Sequence, residues 1–151
     1  MKRKYIDIRP DSIDFFLMYY PRIIEVIRLA ASQPDIQNEA FPKQEYPPEE
    51  VGFEVEYALQ LTESLVNNAF LSKDYLDCMS KLDKSFTDIN ADEWTVDAMY
   101  NSPDWKRTRE IAEICLEKLS IEYARPNHYW YKSVKTILEA RHRIIISREN
   151  T

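Results

Sequence analysis

The two histidines, His128 and His142, are the residues best suited to proton transfer near neutral pH. Catalysis by a nucleophile would require one of them beside that nucleophile, with a third group to orient it. Both fall on one predicted helix, fourteen residues apart, and the rise of an α-helix separates them by about 21 Å. They cannot share an active site within one copy of the chain, so we predict that the protein is not an enzyme.

Residues with metal-ligand chemistry form two patterns, and both are incomplete. Glu139 and His142 have the Glu-x-x-His spacing of di-iron helical bundles, but such bundles need a second motif of this kind, which the chain lacks. The oxygen-rich segment 88–93 lacks the ligand spacing and the glycine of an EF-hand loop. We therefore predict no metal site, and we interpret these acidic side chains as solvated or helix-capping groups.

The chain of 151 residues contains one glycine, Gly52, although average usage would give roughly ten. Glycines form the phosphate-binding loops of dinucleotide folds and P-loops, and they allow the sharp turn of a nucleophile elbow. Tight β-hairpins also favour Asn-Gly or Asp-Gly, and neither pair occurs. The glycine deficit therefore excludes these phosphate-binding loops, predicts no cofactor, and favours a helical fold.

Cys78 and Cys115 both fall in predicted helices, and their spacing matches no metal site. Unpaired thiols of this kind are typical of a reducing compartment. No run of apolar residues approaches the roughly 20 needed to cross a bilayer. Charged residues interrupt any apolar region after the basic start, namely Asp7, Arg9, Asp11 and Asp14. We therefore predict a cytoplasmic protein with no export signal and no membrane partner.

Basic and aromatic residues alternate near the C-terminus, a pattern used by proteins that stack single-stranded bases above a positively charged groove. The candidate nucleic-acid-binding residues are Arg125, Tyr131, Lys132 and Lys135. The formal net charge of the chain is −6, which opposes a polyanion, so nucleic acid is the less favoured partner. Arg141 lies in the apolar stripe of the same predicted helix, where it either pairs with an internal carboxylate or meets a partner.

Acidic residues are concentrated in the middle of the chain. Residues 31–104 contain sixteen acidic and four basic side chains, a net charge of −12, between termini that are net positive. Within this region a predicted helix has an apolar stripe on one side and acidic groups with aromatic rings on the other. We call this second side the acidic face, and its predicted members are Glu49, Phe53, Glu56, Tyr57, Gln60 and Glu63. Asp74 and Asp77 extend it if the fold brings them to the same side.

Apolar residues recur at helical spacing over most of the chain, so the elements that must position these groups are helices. Pro21 predicts a kink in the first of them, or its division into two helices. The predicted segments are an extended stretch at 4–8, helices at 12–30 and 48–71 with a proline-containing loop at 32–48 between them, helices beginning at Ser72, Asp92 and Ser102, a last helix from Asn127, and a frayed tail at 147–151. They predict one compact all-α domain over residues 1–151, with five to six helices in a bundle or an irregular helical array.

These patterns together favour a non-enzymatic acidic binding protein. Carboxylates would steer a basic protein toward the acidic face, and the aromatic rings would anchor it. Immunity proteins and antitoxins have this profile, so we predict an inhibitor that occludes a basic protein partner such as a nuclease toxin. Two alternatives stay open: a helical RNA-associated protein that uses the C-terminal segment, and a self-associating adaptor that dimerises through Ile111, Ile114 and Ile121.

Overall fold

The computed structural model describes residues 7–127 and 138–139, and the regular elements within that range are all helical. Its six α-helices are α1 (Ile13–Ala31), α2 (Pro34–Glu39), α3 (Pro47–Asn67), α4 (Lys73–Thr87), α5 (Val96–Asn101) and α6 (Pro103–Lys118), with a 3₁₀ turn at Ala91–Glu93 between α4 and α5. The prediction of an all-α fold with five to six helices is confirmed for this part of the chain. Most of the extended stretch expected at 4–8, most of the last helix and the tail lie outside the described residues. Of that last helix, Leu138 and Glu139 are helical, and Leu138 is buried.

Three helices begin at the capping residues that the sequence indicated, Ser12, Ser72 and Ser102, and two of these residues make a side-chain cap. The start predicted at Asp92 is wrong, because Asp92 lies in the 3₁₀ turn and Thr95 caps α5. The Ser12 hydroxyl accepts a hydrogen bond from the Phe15 amide at 3.1 Å, and the Ser102 hydroxyl accepts one from the Asp104 amide at 3.1 Å. Such bonds satisfy amide groups that the first turn of a helix leaves without partners. Ser72 also precedes its helix, but its hydroxyl makes no capping bond. Serine side chains therefore cap α1 and α6, whereas α4 begins without a side-chain cap.

Two proline-containing segments are more helical than predicted. Pro21 lies inside α1, which continues as a single helix. The helix tolerates the lost hydrogen-bond donor because Ile23 and Ile27, which follow Pro21, are fully buried and hold its second half in the core. The loop expected at 32–48 contains α2, and Pro34 occupies the first-turn position that proline favours.

The side chain of Gln37 explains why α2 docks against the end of α1. Gln37 is fully buried, and its Nε2 donates hydrogen bonds to the carbonyl of Leu29 at 3.2 Å and to that of Ala30 at 3.3 Å. These carbonyls belong to the last turn of α1, where the α-helical pattern no longer supplies donors and the Leu29 carbonyl also accepts a bond from the Ser32 amide at 3.1 Å. A side chain from α2 thus completes the C-terminal end of α1.

The four long helices form a ring, in which α1 and α4 each pack against both α3 and α6. Their inward side chains are fully buried and include Ile23, Val51, Val55, Leu65, Met79, Leu82 and Trp105. Burying side chains of this size stabilises a fold by about 1.5–3 kcal/mol each. Because the ring uses only one side of each helix, the outer sides of α3, α4 and α6 stay accessible to solvent.

Candidate functional site

The acidic face predicted on α3 is exposed. Val51, Val55 and Ala58 point inward and are fully buried, so the register of the helix directs the opposite side outward. All six predicted members of this face are exposed: Glu49, Phe53, Glu56, Tyr57, Gln60 and Glu63. Phe53 has 58% of its surface exposed. A ring this accessible on an acidic helix is available to anchor a partner.

Part of the acidic face forms one wall of a groove of about 500 Å³ between α3, α4 and the segment that follows α4. The groove combines carboxylates with aromatic rings and is lined by Glu49, Gly52, Phe53, Glu56, Asp83, Phe86, Thr87 and Trp94. We call it the acidic groove. It brings together three of the predicted site residues, Glu49, Phe53 and Glu56, and its volume is in the range of sites that hold a ligand or a side chain.

Gly52 has a structural role in the acidic groove. The Trp94 ring lies so close to α3 that a Cβ atom at position 52 would be 2.9 Å from both Cη2 and Cζ3 of the indole. This distance is well below the optimal carbon–carbon separation of roughly 3.5–4.0 Å. The Trp94 ring centroid is 5.5 Å from that of buried Trp105, in an edge-to-face arrangement, and 6.4 Å from that of Phe86. The single glycine therefore allows an aromatic cluster to form one wall of the groove.

Hydrogen bonds fix this aromatic wall from behind. The indole N–H of Trp105 donates to the Glu93 carbonyl at 2.8 Å, and the Ser102 hydroxyl donates to the Glu93 carboxylate. Because Trp94 directly follows Glu93, these two bonds hold the backbone that presents the Trp94 ring. A wall positioned in advance loses less conformational freedom when a ligand binds.

The carboxylates of the acidic groove have no counter-ions within the described part of the chain, where Glu49, Glu56 and Asp83 form no ion pair, and neither does Glu63 beyond the groove lining. Burial raises the pKa of Asp83 above its ordinary value, and the negative charges of Glu56 and Glu63 raise it further. These carboxylates therefore repel one another across the contact between α3 and α4. A cation placed among them would relieve that repulsion.

Tyr57 belongs to a neighbouring site on α3 that an arginine of the chain already occupies. The guanidinium of Arg22, from α1, lies 4.3 Å from the Tyr57 ring centroid, and it pairs with Glu54 at 3.1 Å. Tyr57 is therefore directed toward α1 and does not line the acidic groove. This pair shows that an aromatic ring and a carboxylate three residues apart on α3 can hold a guanidinium.

The other predicted residues lie on different sides of the helix pair formed by α3 and α4. Gln60 and Glu63 continue the acidic face beyond the groove lining, and Glu63 acts on Asp83 through its charge. At about 100° per residue, the register of α4 places Asp74 and Asp77 away from the side that carries Asp83. Neither lines the acidic groove, because α4 is oriented by the core residues that it buries.

Sequence reasoning missed Asp83, Phe86 and Trp94. A signal for Asp83 was present, since the short connection between α3 and α4 makes them antiparallel, and residues equally far from it then lie opposite each other. Glu56 is fourteen residues before Phe70 in that connection, and Asp83 is thirteen residues after it. No comparable pattern marks Trp94, which reaches the groove from the segment after the 3₁₀ turn.

The alternative nucleic-acid segment is described only at its beginning. Arg125 forms an ion pair with Glu39 at 3.2 Å, and both side chains are largely exposed. This acidic partner makes Arg125 less available to a phosphate. The other members of the segment lie outside the described residues, as do both histidines and the arginine of the apolar stripe: Tyr131, Lys132, Lys135, His128, His142 and Arg141.

The three isoleucines predicted to form a dimer interface occupy different environments. Ile114 on α6 has 62% of its surface exposed. Ile111 is half-buried and lines a second groove together with Ile114. Ile121 follows α6 and packs against the core. Two of the three are therefore accessible from the same groove, and the third lies apart from it.

Cys78 and Cys115 are free and buried. The Cys115 thiol donates to the Cys78 carbonyl at 3.5 Å, and burial raises the pKa of this thiol to about 12, so it is neutral near pH 7 and a poor nucleophile.

Within residues 7–127 and 138–139, no group of three or more histidine, cysteine or carboxylate side chains is arranged to hold a metal ion. No helix in the same ranges is both long enough and apolar enough to cross a bilayer.

Comparison with protein-family models, curated proteins and solved structures gives no match to this chain.

Proposed function

We propose that the protein is a non-enzymatic inhibitor whose acidic groove binds an arginine side chain on the surface of a basic protein partner. The observation that carries this proposal is the meeting of aromatic rings with carboxylates that have no ion-pair partner among the described residues, since Glu56 and Asp83 lie in one groove with Phe53 and Trp94. Carboxylates attract a cation, and the face of an aromatic ring binds the same cation through its quadrupole. A desolvated cationic side chain is therefore the ligand that fits this chemistry best.

Arginine is favoured over lysine because its planar guanidinium can stack on a ring while its N–H groups bind carboxylates. The chain itself contains an example, since Arg22 stacks on Tyr57 and pairs with Glu54. Phe53 and Glu56 offer the same combination on the adjacent side of the same helical turn. No arginine within the described residues occupies that position, which leaves it available to a partner.

The electrostatics of the groove also support a binding role. In the free protein, burial raises the pKa of the Asp83 carboxyl, and the like charges held close to it raise that pKa further. Such an arrangement destabilises the unbound state, and a cation from a partner would offset the cost. Carboxyls that are perturbed in this way inside a groove are typical of functional sites.

Inhibition would follow because the carboxylates of this protein compete with the phosphates of the substrate for the cationic side chains of the partner. Proteins that act on nucleic acids hold phosphates with lysine and arginine side chains. An acidic protein that captures one of these side chains, and covers those around it, leaves its partner unable to hold a polyanionic substrate. Opposite charges also accelerate the encounter of the two proteins at low ionic strength. A nuclease toxin is therefore the partner class that we propose.

Affinity capture from the native host, at low and at moderate salt, tests the proposal. The wild-type protein should retain a basic protein whose binding the triple variant Glu56→Gln/Asp83→Asn/Phe53→Ala weakens by at least about 100-fold, because two charged contacts and one aromatic anchor are lost. The purified partner should lose its activity with the wild-type protein and keep it with the triple variant.

The matched control is Glu110→Gln/Glu117→Gln, which removes two negative charges from exposed positions on α6, outside the acidic groove. It should bind the partner as the wild-type protein does. Recovery of no basic protein, recovery of nucleic acid alone, or equal binding by the triple variant would show that the proposed function is wrong.

A further inference from the structure

A second groove, of about 440 Å³, lies between α4 and α6. Its lining includes the buried residues Cys78 and Cys115, the half-buried Ile111, and Ile114, which has 62% of its surface exposed. We call it the basic groove because four cationic side chains also line it: Lys81, Lys84, Arg107 and Lys118. It therefore combines an apolar floor with positive charge.

The basic groove has a local excess of positive charge in a chain whose net charge is −6. Its one lining carboxylate, Asp88, is paired with Lys84 at 3.1 Å. Among the described residues, Lys81, Arg107 and Lys118 form no ion pair. These three cations favour an acidic ligand, and the apolar floor favours one that also carries exposed apolar side chains.

The acidic face of α3 has this complementary chemistry. Glu49, Glu56 and Glu63 recur every seven residues along one side of the helix, and Phe53 is exposed between them. Helices commonly bind by laying apolar side chains into a groove between two other helices. The basic groove extends along α4 from residue 78 to 88 and along α6 from residue 107 to 118, or about 15 Å by helical rise, which accommodates about three turns of a docked helix.

We propose that the acidic face of one copy of the chain docks into the basic groove of a second copy. Phe53 of one copy packs against Ile111 and Ile114 of the other, and the glutamates of the face pair with the cations around the groove. The charges of the two surfaces are opposite, and each surface carries an exposed apolar side chain, so the contact satisfies both.

This contact is head-to-tail because the two surfaces lie on opposite sides of α4. Asp83 and Thr87 line the acidic groove, whereas Lys81, Lys84 and Asp88 line the basic groove, about half a turn away around the helix axis. A contact between two different surfaces leaves one of each free at the ends of the assembly, so further copies add unless a ring closes.

Self-association goes beyond the proposed inhibitory function and uses the surface on which that function depends. A copy whose acidic face is docked in a neighbour cannot bind a basic partner through the same side chains. Partner binding and self-association therefore compete, and the assembled form holds the inhibitor in an inactive state.

Two single substitutions at exposed positions separate the two halves of the contact. Phe53→Asp alters the acidic face, and Ile114→Asp alters the basic groove. Each should raise the dissociation constant for self-association on the order of 30-fold, the effect typical of losing a central anchor, and leave the helical circular dichroism unchanged. Ile8→Asp is the matched control, since Ile8 is exposed and lines neither groove, and it should self-associate like the wild-type protein.

Sedimentation velocity measures the outcome. The wild-type mass should increase with protein concentration at low salt and return to that of one chain at high salt. An equimolar mixture of Phe53→Asp and Ile114→Asp should form a dimer that grows no further, because the mixture retains one intact face and one intact groove. A wild-type mass of one chain at every concentration, or a mixture that stays monomeric, would overturn the proposal.

These measurements contain no partner, so their failure and the failure of the inhibitory function are distinguishable. Ile114→Asp keeps the acidic groove and should bind the basic partner at least as tightly as the wild-type protein does. If the wild-type protein binds a basic partner yet remains one chain, only self-association is wrong. If the wild-type protein self-associates and the Ile114→Asp variant, whose acidic face is free, also retains no basic protein, only the inhibitory function is wrong.

Discussion

Replacing Gly52 with alanine has two opposing effects on stability, a gain in helix propensity and a steric clash with Trp94. A glycine within a helix costs about 1 kcal/mol relative to alanine, so its replacement by alanine would ordinarily stabilise α3. The added Cβ would lie 2.9 Å from two carbon atoms of the Trp94 ring, and that ring is held by its packing on Trp105. Overpacking of a well-ordered region typically costs about 1–3 kcal/mol, so the steric cost exceeds the gain in helix propensity.

Gly52→Ala should therefore lower the free energy of unfolding by up to about 2 kcal/mol, the steric cost less the gain in helix propensity, as measured by urea denaturation. In a Trp94→Leu background the large ring is absent, and the same substitution should stabilise the protein by up to about 1 kcal/mol, because only helix propensity remains. A stabilising effect of Gly52→Ala with Trp94 present would contradict the close contact.

Asp83 gives a prediction about pH. Burial and the charges of Glu56 and Glu63 raise its pKa, so the folded chain holds this proton more tightly than the unfolded chain. This tighter proton binding stabilises the folded state fully at pH values below the ordinary pKa of an aspartate. The stabilisation is lost as the pH rises through the raised pKa that Asp83 has in the folded state. At neutral pH the ionised carboxylate therefore destabilises the fold.

Asp83→Asn removes this charge and should raise the free energy of unfolding at pH 7 by roughly 0.3–0.5 kcal/mol, the size of a like-charge contact at a partly exposed position. The gain should shrink as the pH falls toward the ordinary pKa of an aspartate. Urea midpoints at neutral and acidic pH measure both effects. A larger gain at acidic pH would contradict the direction of the pKa shift.

At the scale of single elements, α4 and α6 offer a matched test of helix capping. Ser102 accepts a hydrogen bond from the Asp104 amide, whereas Ser72 makes no such bond. Ser102→Ala should lower the free energy of unfolding by about 1–2 kcal/mol, because it removes the cap and also the bond that the same hydroxyl donates to the Glu93 carboxylate, and Ser72→Ala should change it by no more than about 0.5 kcal/mol. Thermal or urea unfolding compares the two, and equal losses would contradict the difference in capping.

A helix and its exposed side could be predicted wherever the apolar pattern of that helix alone identifies the side that is buried. The acidic face was predictable because Val51, Val55 and Ala58 fix the buried side of α3 without reference to any other helix. The short helix α2 was not, because its six residues have no apolar period and dock through the buried amide of Gln37. The acidic groove was predicted only in part, since Asp83 comes from a second helix whose rotation about its axis depends on the core.

At the scale of the whole molecule, net charge conceals how charge is distributed over the surface. The chain has a net charge of −6, yet the grooves on the two sides of α4 carry opposite charge. Within about one Debye length, roughly 8 Å at physiological ionic strength, a partner responds to the groove that it approaches more than to the molecular total. The charge that an approaching molecule meets is therefore that of the nearer groove.

This charge distribution predicts which rate constant of partner binding, association or dissociation, responds to salt and to each mutation. The association rate constant should fall about tenfold or more as salt rises from low to above physiological concentration. Glu49→Gln/Glu56→Gln should lower that rate constant and flatten its salt dependence, whereas Phe53→Ala should act mainly by raising the dissociation rate constant. Stopped-flow mixing with the captured partner measures all three, and an association rate independent of salt would contradict electrostatic steering.

The aromatic wall of the acidic groove also has an optical consequence. The ring centroids of Trp94 and Trp105 are 5.5 Å apart and their planes are inclined at 78°, so the electronic transitions of the two indoles couple as an exciton pair. Trp94 lines the groove, whereas Trp105 is fully buried. A guanidinium stacked on Trp94, as proposed for the partner, would place a positive charge beside one indole and not the other, and would shift the transition of Trp94 relative to that of Trp105. The chain thus carries an intrinsic chromophore pair whose exciton signal would report, without any label, the occupation of the groove that we propose.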